Sequence, residues 1–405
     1  MRALFRKEKM WQKHQLKSRY DVVIIGAGVH GLAIAYYLAK NHGITNVAIL
    51  DRVYLGGGNS GRNTAILRAN YMTVEGVHFY SESLKLYEEL SKDLNFNLLF
   101  SQLGHLSLAH TDSAVNGLWL RAEVNKELGV DSRVVYPNEI KRMVPALDMT
   151  ERPRYPIKAA LYHPPGGVIR HDAVVWGYAR GVERLGGEIH TRTEVTGIDV
   201  TDHRVAAIRT SKGDVVATDC VVNATSGYCS TIAKMVGVEL PVVTHPLQAC
   251  VTEPLKPFLD KVVVSANLHV YVYQTDRGEL VMGSEIDPYQ SYNQVSTIET
   301  LESMVEHAVE LFPALRNVKV LRQWGGICDM TPDYSPILGD IDGLKGFILD
   351  VGWGTYGFKA GPVSGKRLAE LIATNKTPEL IAPFRLSRFY EEKLVSEKGA
   401  AAVSH

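Results

Sequence analysis

The stretch that most restricts what this chain can fold into runs from Tyr20 to Asp51. There the apolar run Val22-Val23-Ile24-Ile25 empties into Gly26-Ala27-Gly28-Val29-His30-Gly31. A helix-forming segment, Leu32 to Lys40, follows at once, breaks near Gly43, and leads to a second apolar strand, Val47 to Leu50, that ends on Asp51. Strand, glycine turn, helix and strand in this order form a dinucleotide-binding βαβ unit. Gly26 permits the tight turn, Gly28 lets backbone amides approach a pyrophosphate, and Gly31 lets helix and strand pack closely. Val29 and His30 belong to the same turn, where the helix N-terminus faces the phosphate charge. Asp51 stands where a carboxylate accepts hydrogen bonds from ribose hydroxyls. A GxGxxG alone is weak evidence, because glycines also cluster in ordinary turns; the register of both strands, the helix and the acid makes the signal specific.

At 405 residues the chain exceeds what one hydrophobic core usually organises, so two interleaved domains are expected. Its 44 basic and 44 acidic residues cancel, which argues against nucleic acid or an anionic membrane surface as partner and for a small-molecule substrate. The four cysteines, Cys220, Cys229, Cys250 and Cys328, show no CxxC pair or metal-type spacing, which fits reduced thiols in a cytoplasmic protein without a metal site. Residues 1 to 19 are basic but interrupted by charges, with no apolar core for a signal peptide; they read as an arm that is either a tail or a contact for a partner. No apolar run is long enough to span a bilayer.

The nucleotide at such a unit is a nicotinamide or a flavin, and later segments separate the two. Thr218 to Ser226 is an apolar strand running into small residues and Gly227. Before it, Gly187 to His190 and Val195 to Ile198 alternate, with a hairpin at Ser211 to Asp214. In a flavin-binding Rossmann protein this arrangement returns the chain beside the first βαβ unit, so that Val195 meets the adenine and Ala224 to Gly227 pass close to the pyrophosphate. Near the C-terminus another buried strand, Phe347 to Val351, opens into Gly352-Trp353-Gly354-Thr355-Tyr356-Gly357-Phe358-Lys359 before a helix from Pro362 to Thr374. A strand, glycine turn and helix there bring further backbone amides, around Gly354 and Gly357, to the cofactor. A nicotinamide dehydrogenase has no need of them.

Together these motifs resemble the D-amino-acid oxidase group of FAD-dependent oxidoreductases, over nearly the whole chain. The resemblance includes Arg322-Gln323-Trp324-Gly325-Gly326 followed by Thr331-Pro332-Asp333-Tyr334-Ser335-Pro336-Ile337-Leu338-Gly339. Within the group, the chain is most similar to the β-subunit family of heterotetrameric sarcosine oxidases. The matching segments are Gly57-Gly58-Asn59 with Arg62-Asn63-Thr64, Phe100 to Gln102, His245 to Ala249, Gly278 to Gly283 and the tail Gly399 to His405. The implied fold is α/β: a glutathione-reductase-type FAD-binding Rossmann domain interleaved with an α+β substrate domain on a mixed or antiparallel sheet. The expected division is an N-terminal arm at 1–19, an FAD-binding domain at 20–100, 155–235 and 325–385, a substrate domain at 101–154 and 236–324, and a C-terminal tail at 386–405. The loop carrying Asn59, Arg62, Thr64 and Ile66 is implied to bind noncovalent FAD.

The segment Gly166-Gly167-Val168-Ile169-Arg170-His171-Asp172 carries a further implication. In that family the histidine of the corresponding stretch is covalently attached to FMN, so His171 is implied to bear a second flavin. An imidazole nitrogen adding to a methyl group of an electrophilic flavin ring makes the bond chemically reasonable. Arg170 would bind the FMN phosphate or stabilise negative charge on the reduced ring. By itself, a histidine near a strand end is usually an ordinary polar residue.

An amino-acid substrate presents a carboxylate, which calls for cations. Arg68 directly follows the cofactor-binding loop, and its planar fork can take a carboxylate bidentately. Lys359 leaves the glycine turn at the flavin edge and can meet the same group from the other side, as well as contacting the flavin. Both match carboxylate-binding residues of sarcosine oxidases. The blander readings are a surface salt bridge for Arg68 and a purely cofactor-binding role for Lys359. His269, Tyr271 and Tyr273 alternate along one strand and therefore share a face, which either cages the amine or packs on its neighbours. Tyr71, three residues beyond Arg68, is a similar candidate.

The implied reaction is oxidative demethylation of sarcosine at FAD, giving glycine and either formaldehyde or a one-carbon unit captured by tetrahydrofolate in a partner subunit. Electrons pass on to covalent FMN and then to oxygen, forming hydrogen peroxide. The implied assembly is αβγδ, with the FMN at the junction with the α subunit and NAD and zinc on other chains. Two rivals stand beside this reading. The chain could oxidise another secondary amino acid, such as proline, hydroxyproline or N-methylglutamate, as a dehydrogenase subunit. From a different class, it could be a non-catalytic binding protein on a flavoprotein scaffold, against which the intact glycines and Asp51 speak.

Overall fold

In the computed structural model, residues 10–397 are described. The tail match at Gly399 to His405 and the first nine residues of the arm lie outside them.

Five parallel strands form the centre of a nine-stranded sheet. In spatial order they are Leu344–Val351, Val221–Asn223, Val22–Ile25, Val47–Asp51 and Glu188–Thr191. Val22–Ile25 is apolar without alternation because both faces of a parallel sheet are covered, and all four of its residues are buried. Val22 and Ile24 pack with the helices on one face. Val23 and Ile25 pack on the other, against the antiparallel strands Val195–Thr201 and Arg204–Thr210. The first strand is thus the middle of a three-layer core.

Helix Val29–His42 is apolar nearly all round and correspondingly buried from Val29 to Ala39, apart from His30. It stops at Gly43, whose φ of 68° lets its N–H turn back to the carbonyl of Ala39. Against it lies helix Gly357–Thr374, and glycines set the separation. A Cβ on Gly361 would press into Val29, and one on Gly365 into Ala33.

A second sheet of eight strands runs in the order Val320–Met330, Val243–Pro254, Glu279–Ile286, Val270–Gln274, Val262–Ser265, His105–Ala109, Ala159–His163 and Arg133–Val135. Its pairings are antiparallel except that between Val262–Ser265 and His105–Ala109. Helix Ile298–Leu311 and helix Pro137–Met143 contribute Met304, Ala308, Leu311 and Ile140 to its separate core. Strand Ala159–His163 pairs here although it follows residue 155, and strand Val320–Met330 continues in this sheet past residue 325. A two-stranded ribbon, Ile66–Leu67 with Gly167–Val168, joins the two halves.

The ends of the described chain are pinned. Lys17 pairs with Glu188 at 2.7 Å and His14 with Glu183 at 3.0 Å, so residues 14–19 lie on the rim of the parallel sheet. Arg388 is buried and holds the buried carboxylate of Asp333 at 2.8 and 2.9 Å. Glu397, beyond it, accepts hydrogen bonds from the backbone and hydroxyl of Thr73 at the start of helix Val74–Leu94.

The glycine turn yields a first prediction. A Cβ on Gly31 would collide with the carbonyl oxygen of Gly26 and come within 3.0 Å of Ile24. Gly31→Ala is expected to destabilise the protein by about 1–3 kcal/mol through overpacking, measured as a lowered midpoint in urea unfolding with an unchanged slope.

Candidate functional site

The C-terminal ends of the parallel strands open into a cavity of about 730 Å³, within the range of roughly 300–1,000 Å³ usual for small-molecule sites. At one end lie Gly26, Gly28, Val29, His30 and Asp51. The middle passes Asn59, Arg62, Thr64 and Ile66 on one side and Ala224 to Gly227 on the other. The far end is closed by Arg68, His105, Arg121, Tyr271 and Lys359. Gly26 has a φ of 115°, and a Cβ there would run into the carbonyl of Ala224, so only glycine lets the two strand ends meet. Asp51 accepts hydrogen bonds from Ala27 N–H at 2.8 Å and Val53 N–H at 2.9 Å while still lining the cavity.

Two buried carboxylates tie the C-terminal glycine turn to this floor. Asp329 accepts from the Gly352 amide at 2.7 Å and from Ser226 Oγ at 3.2 Å; burial pushes its pKa up to about 6 despite these donors. Asp350 accepts from Trp353 Nε1 at 2.8 Å and Ser364 Oγ at 2.9 Å, and lies 3.1 Å from His30 Nδ1. The other ring nitrogen of His30 faces the Gly357 carbonyl at 2.8 Å. Both His30 nitrogens therefore meet acceptors, an arrangement that a protonated ring satisfies. Burial opposes that proton, but the Asp350 charge outweighs it and the His30 pKa is raised.

The loop opposite is held as firmly. Asn59 donates to Ser226 Oγ at 2.8 Å and to the Ile327 carbonyl, and accepts from Ile327 N–H at 3.1 Å. Arg62 donates to the carbonyls of Gly57 and Gly58, and its own carbonyl accepts from Trp324 Nε1 at 2.7 Å. Thr64 Oγ1 donates to the hydroxyl of Tyr271 at 3.1 Å, and the Thr64 carbonyl accepts from the hydroxyl of Tyr273 at 2.8 Å.

The closed end concentrates positive charge. Lys359 is half-buried, and among the described residues its ammonium makes no hydrogen bond or ion pair. Burial first, and the Arg68 charge second, bring its pKa down to about 7. Arg121 is pushed down to about 9 by burial and by the same neighbour. Arg68 donates to the Asn70 carbonyl at 3.0 Å, and its guanidinium lies 4.3 Å above the ring of Tyr71. His105, 2% exposed, is held neutral by burial and by the surrounding cations, and its Nδ1 has no partner among the described residues. His163 is held down to about 4, mainly by burial, and accepts from Ala69 N–H at 3.2 Å. Such a set of cations is built for an anion that enters from outside.

Residues 21–371 match the family described as FAD dependent oxidoreductase. The chain belongs to the FAD dependent oxidoreductase family. It is 44% identical over 398 residues to the sarcosine oxidase subunit beta of Arthrobacter sp., covering 98% of each chain. Against the sarcosine oxidase subunit beta of Rhodobacter capsulatus it is 44% identical over 400 residues, 98% of this chain and 95% of that one. Among solved structures, the L-proline dehydrogenase of P. horikoshii superposes with a TM-score of 0.87 at 28% identity, over 94% of this chain and 100% of the other.

For this family the residues present fit FAD. The glycine-walled crevice puts the helix N-terminus, at Gly28 to His30, and the Asp51 carboxylate at one end of the cavity, where a Cβ on Gly28 would sit 2.9 Å from Ser60 Oγ. Of the residues singled out from the sequence, Arg68, Lys359, His269 and Tyr271 line the same cavity as the glycine turns. Several expected contacts fall elsewhere. Gly31 packs helix against strand, and Val195 is buried in the sheet behind; neither lines the cavity. Tyr71 is wholly buried beneath Arg68 and stacked on Tyr80 at 4.0 Å. His269 is not on the strand with Tyr271: the strand starts at Val270, and His269 occupies the preceding turn with φ 48°. Tyr273 points its hydroxyl at the loop backbone and does not line the cavity. Arg170 and His171 lie outside the cavity, at the start of helix His171–Arg184, where Arg170 pairs with Asp172 at 3.1 Å. His171 is partly exposed, and burial lowers its pKa, so the neutral imidazole prevails at pH 7.

Arg121 and His105 were not singled out from the sequence. Each is brought to the cavity from elsewhere, Arg121 by helix Asp112–Glu127 and His105 by a strand of the second sheet. No local motif marks either.

The lowered pKa of Lys359 gives a pH prediction. Below about 7 its ammonium is charged and attracts an anion; above that it must take up a proton when the anion binds. Affinity for a simple carboxylate such as butyrate is therefore expected to be flat at low pH and to fall by up to about tenfold per pH unit above neutrality, and Lys359→Met should flatten the profile in calorimetric titrations. A second prediction concerns the wall. A Cβ on Gly283 would collide with the ring of Tyr271, so Gly283→Ala should drive that ring toward the cavity and weaken butyrate binding about tenfold or more, with the fold retained by circular dichroism.

Proposed function

We propose that this chain is the sarcosine-oxidising subunit of a multi-subunit oxidase and carries two flavins. The observation that carries the reading is the meeting of Arg68 and Lys359 at the closed end of a cavity whose other end is the dinucleotide turn. A substrate carboxylate bound there sets its amine toward the middle of the cavity. The 44% identity to chains named sarcosine oxidase subunit beta supports sarcosine as the substrate and other subunits as partners.

FAD would lie along Gly26, Gly28, Asp51, the 59–66 loop, Ala224 and the turn from Gly354 to Gly357, and when bound it supplies the two-electron acceptor. Arg68 offers a planar fork and Lys359 a point charge to the carboxylate. With three cations nearby, the secondary amine binds preferentially in its neutral form, so no dedicated base is required. Thr64 fixes Tyr271, and Tyr271 with His269 walls the substrate side. The neutral His105 offers its unpartnered nitrogen as a further polar contact.

The reading assigns FMN to His171. Its ring is neutral and partly exposed, as a nucleophilic imidazole must be, and Arg170 beside it is a cation for the phosphate or the ring. The strand Gly167–Val168 leading to it pairs with Ile66–Leu67, which continues the loop proposed to hold FAD. The reading extends to α, γ and δ partner subunits, to tetrahydrofolate as one-carbon acceptor on a partner, to formaldehyde as the product without it, and to hydrogen peroxide from oxygen. It also extends to the cytoplasm, in keeping with four free cysteines; among the described residues no helix is long and apolar enough to cross a membrane.

A second reading, a dehydrogenase of proline or another secondary amino acid, is favoured by the likeness to L-proline dehydrogenase. A screen of sarcosine, proline, hydroxyproline and N-methylglutamate separates the two. Denaturation with trichloroacetic acid tests the flavins: a yellow pellet containing FMN linked to a His171 peptide, with FAD in the supernatant, is expected, and loss of all colour to the supernatant sinks the covalent assignment. Arg68→Ala is expected to raise the sarcosine KM by about 100-fold or more, in line with loss of a charge-assisted bidentate contact.

A further inference from the structure

Helix Asp112–Glu127 grips the site through two residues one turn apart. Arg121 directs Nε, at 2.7 Å, and Nη2 to the carbonyl oxygen of Asn70. Arg68 donates to that same oxygen at 3.0 Å and to Asn70 Oδ1 at 3.1 Å. Asn125 donates its amide to the Tyr71 carbonyl at 2.8 Å and to the Arg121 carbonyl at 2.8 Å. The backbone just past Arg68 is therefore held at two successive carbonyls by one helix, and the ring of Tyr71 supports the Arg68 guanidinium from below.

This arrangement is an expensive way to anchor a helix. A half-buried guanidinium beside another guanidinium forfeits part of its hydration and meets repulsion. The acid whose charge favours Arg121 is Glu397, and its oxygens already accept from the Met72 and Thr73 backbone. Of helix Asp112–Glu127, only Ala122 and Asn125 are buried, so packing does not explain the choice of residue at position 121.

We propose that Arg121, with Asn125, is a positioning residue that fixes Arg68 for the substrate carboxylate. The inference rests on the reading of Arg68 as the carboxylate-binding residue. It assigns to Arg121 a role in affinity and not in the redox step, and it makes the helix from Asp112 to Glu127 the element on which carboxylate affinity depends.

Butyrate, in which a methylene replaces the N–H of sarcosine, isolates carboxylate binding from turnover. Its affinity for the purified FAD-loaded protein is measured by calorimetry for the parent chain, Arg68→Met, Arg121→Met, Arg121→Lys and Asn125→Ala. Arg121→Met is expected to weaken butyrate about tenfold and to raise the sarcosine KM by a similar factor, with kcat changing much less. Arg121→Lys should recover part of the loss and Asn125→Ala should show a smaller one, a graded pattern that a merely structural role does not produce. Affinity within about twofold of the parent in Arg121→Met, at unchanged flavin content and melting temperature, overturns the proposal. If Arg121→Met does not fold, unchanged affinity in both Arg121→Lys and Asn125→Ala overturns it equally. Loss of butyrate binding in Arg68→Met alone sinks the clamp but leaves the proposed function standing. Unchanged binding in Arg68→Met removes both the carboxylate site and the clamp that serves it. Failure of sarcosine to turn over, with butyrate affinities graded as expected, removes the substrate and leaves the clamp.

Discussion

Close approach of backbone to backbone at the C-terminal edge of the parallel sheet is the constraint from which the remaining structure follows. The turn after Val22–Ile25, the turn after Val221–Asn223 and the turn after Leu344–Val351 must converge to make one crevice. They converge because no Cβ stands in the way: Gly26 lies against the Ala224 carbonyl and Gly31 against the Gly26 carbonyl. Between the two helices behind, Gly361 and Gly365 do the same. A dense interior cannot absorb a methyl group at such points without moving a strand. The same convergence brings Lys359, which leaves the third turn, to the residues that follow the loop from Asn59 to Ile66.

Charge then divides the crevice into ends with different chemistry. Near the glycine turns, the buried acids Asp329 and Asp350 are saturated with donors from the backbone, Ser226, Trp353 and Ser364, and Asp350 also pairs with His30; they hold the turns and are not free to meet a ligand. At the closed end, Arg68, Arg121 and Lys359 share a small volume with two neutral histidines. Burial first, and the Arg68 charge second, bring the Lys359 pKa down to about 7, and the same two causes bring Arg121 down to about 9. Near neutral pH, Arg121 therefore keeps its charge while Lys359 titrates in the same space. Around neutral pH this makes the charge of the empty site adjustable and the charge of an anion-filled site fixed.

Legibility in the sequence followed the range of the interactions involved. The βαβ unit was readable because its parts are contiguous: apolar strand, glycines at fixed offsets, helix and acid all fall between Tyr20 and Asp51. Arg68 and Lys359 could be named because each sits next to such a motif. Period-2 alternation placed Tyr271 on a strand, but it also put His269 there; the turn at Ala266 to His269, with its left-handed φ, has no glycine to announce it. Tyr71 looked like a wall residue and is instead the buried support of Arg68, because spacing along a segment does not say which side faces the cavity.

By itself, the sequence determined the local geometry: which segments are strand or helix, where the backbone must turn without a side chain, and which cations stand beside those turns. Those are set by backbone sterics and hydrophobic periodicity, which act over a few residues. Only the tertiary structure decided the company those cations keep. Arg121, His105 and Asn125 reach the site from a helix and a strand of the second half of the fold, and burial there, a collective property of many distant residues, brings the Lys359 pKa down to about 7. Dielectric environment and charge neighbours depend on packing across the whole chain, and no window of sequence encodes them.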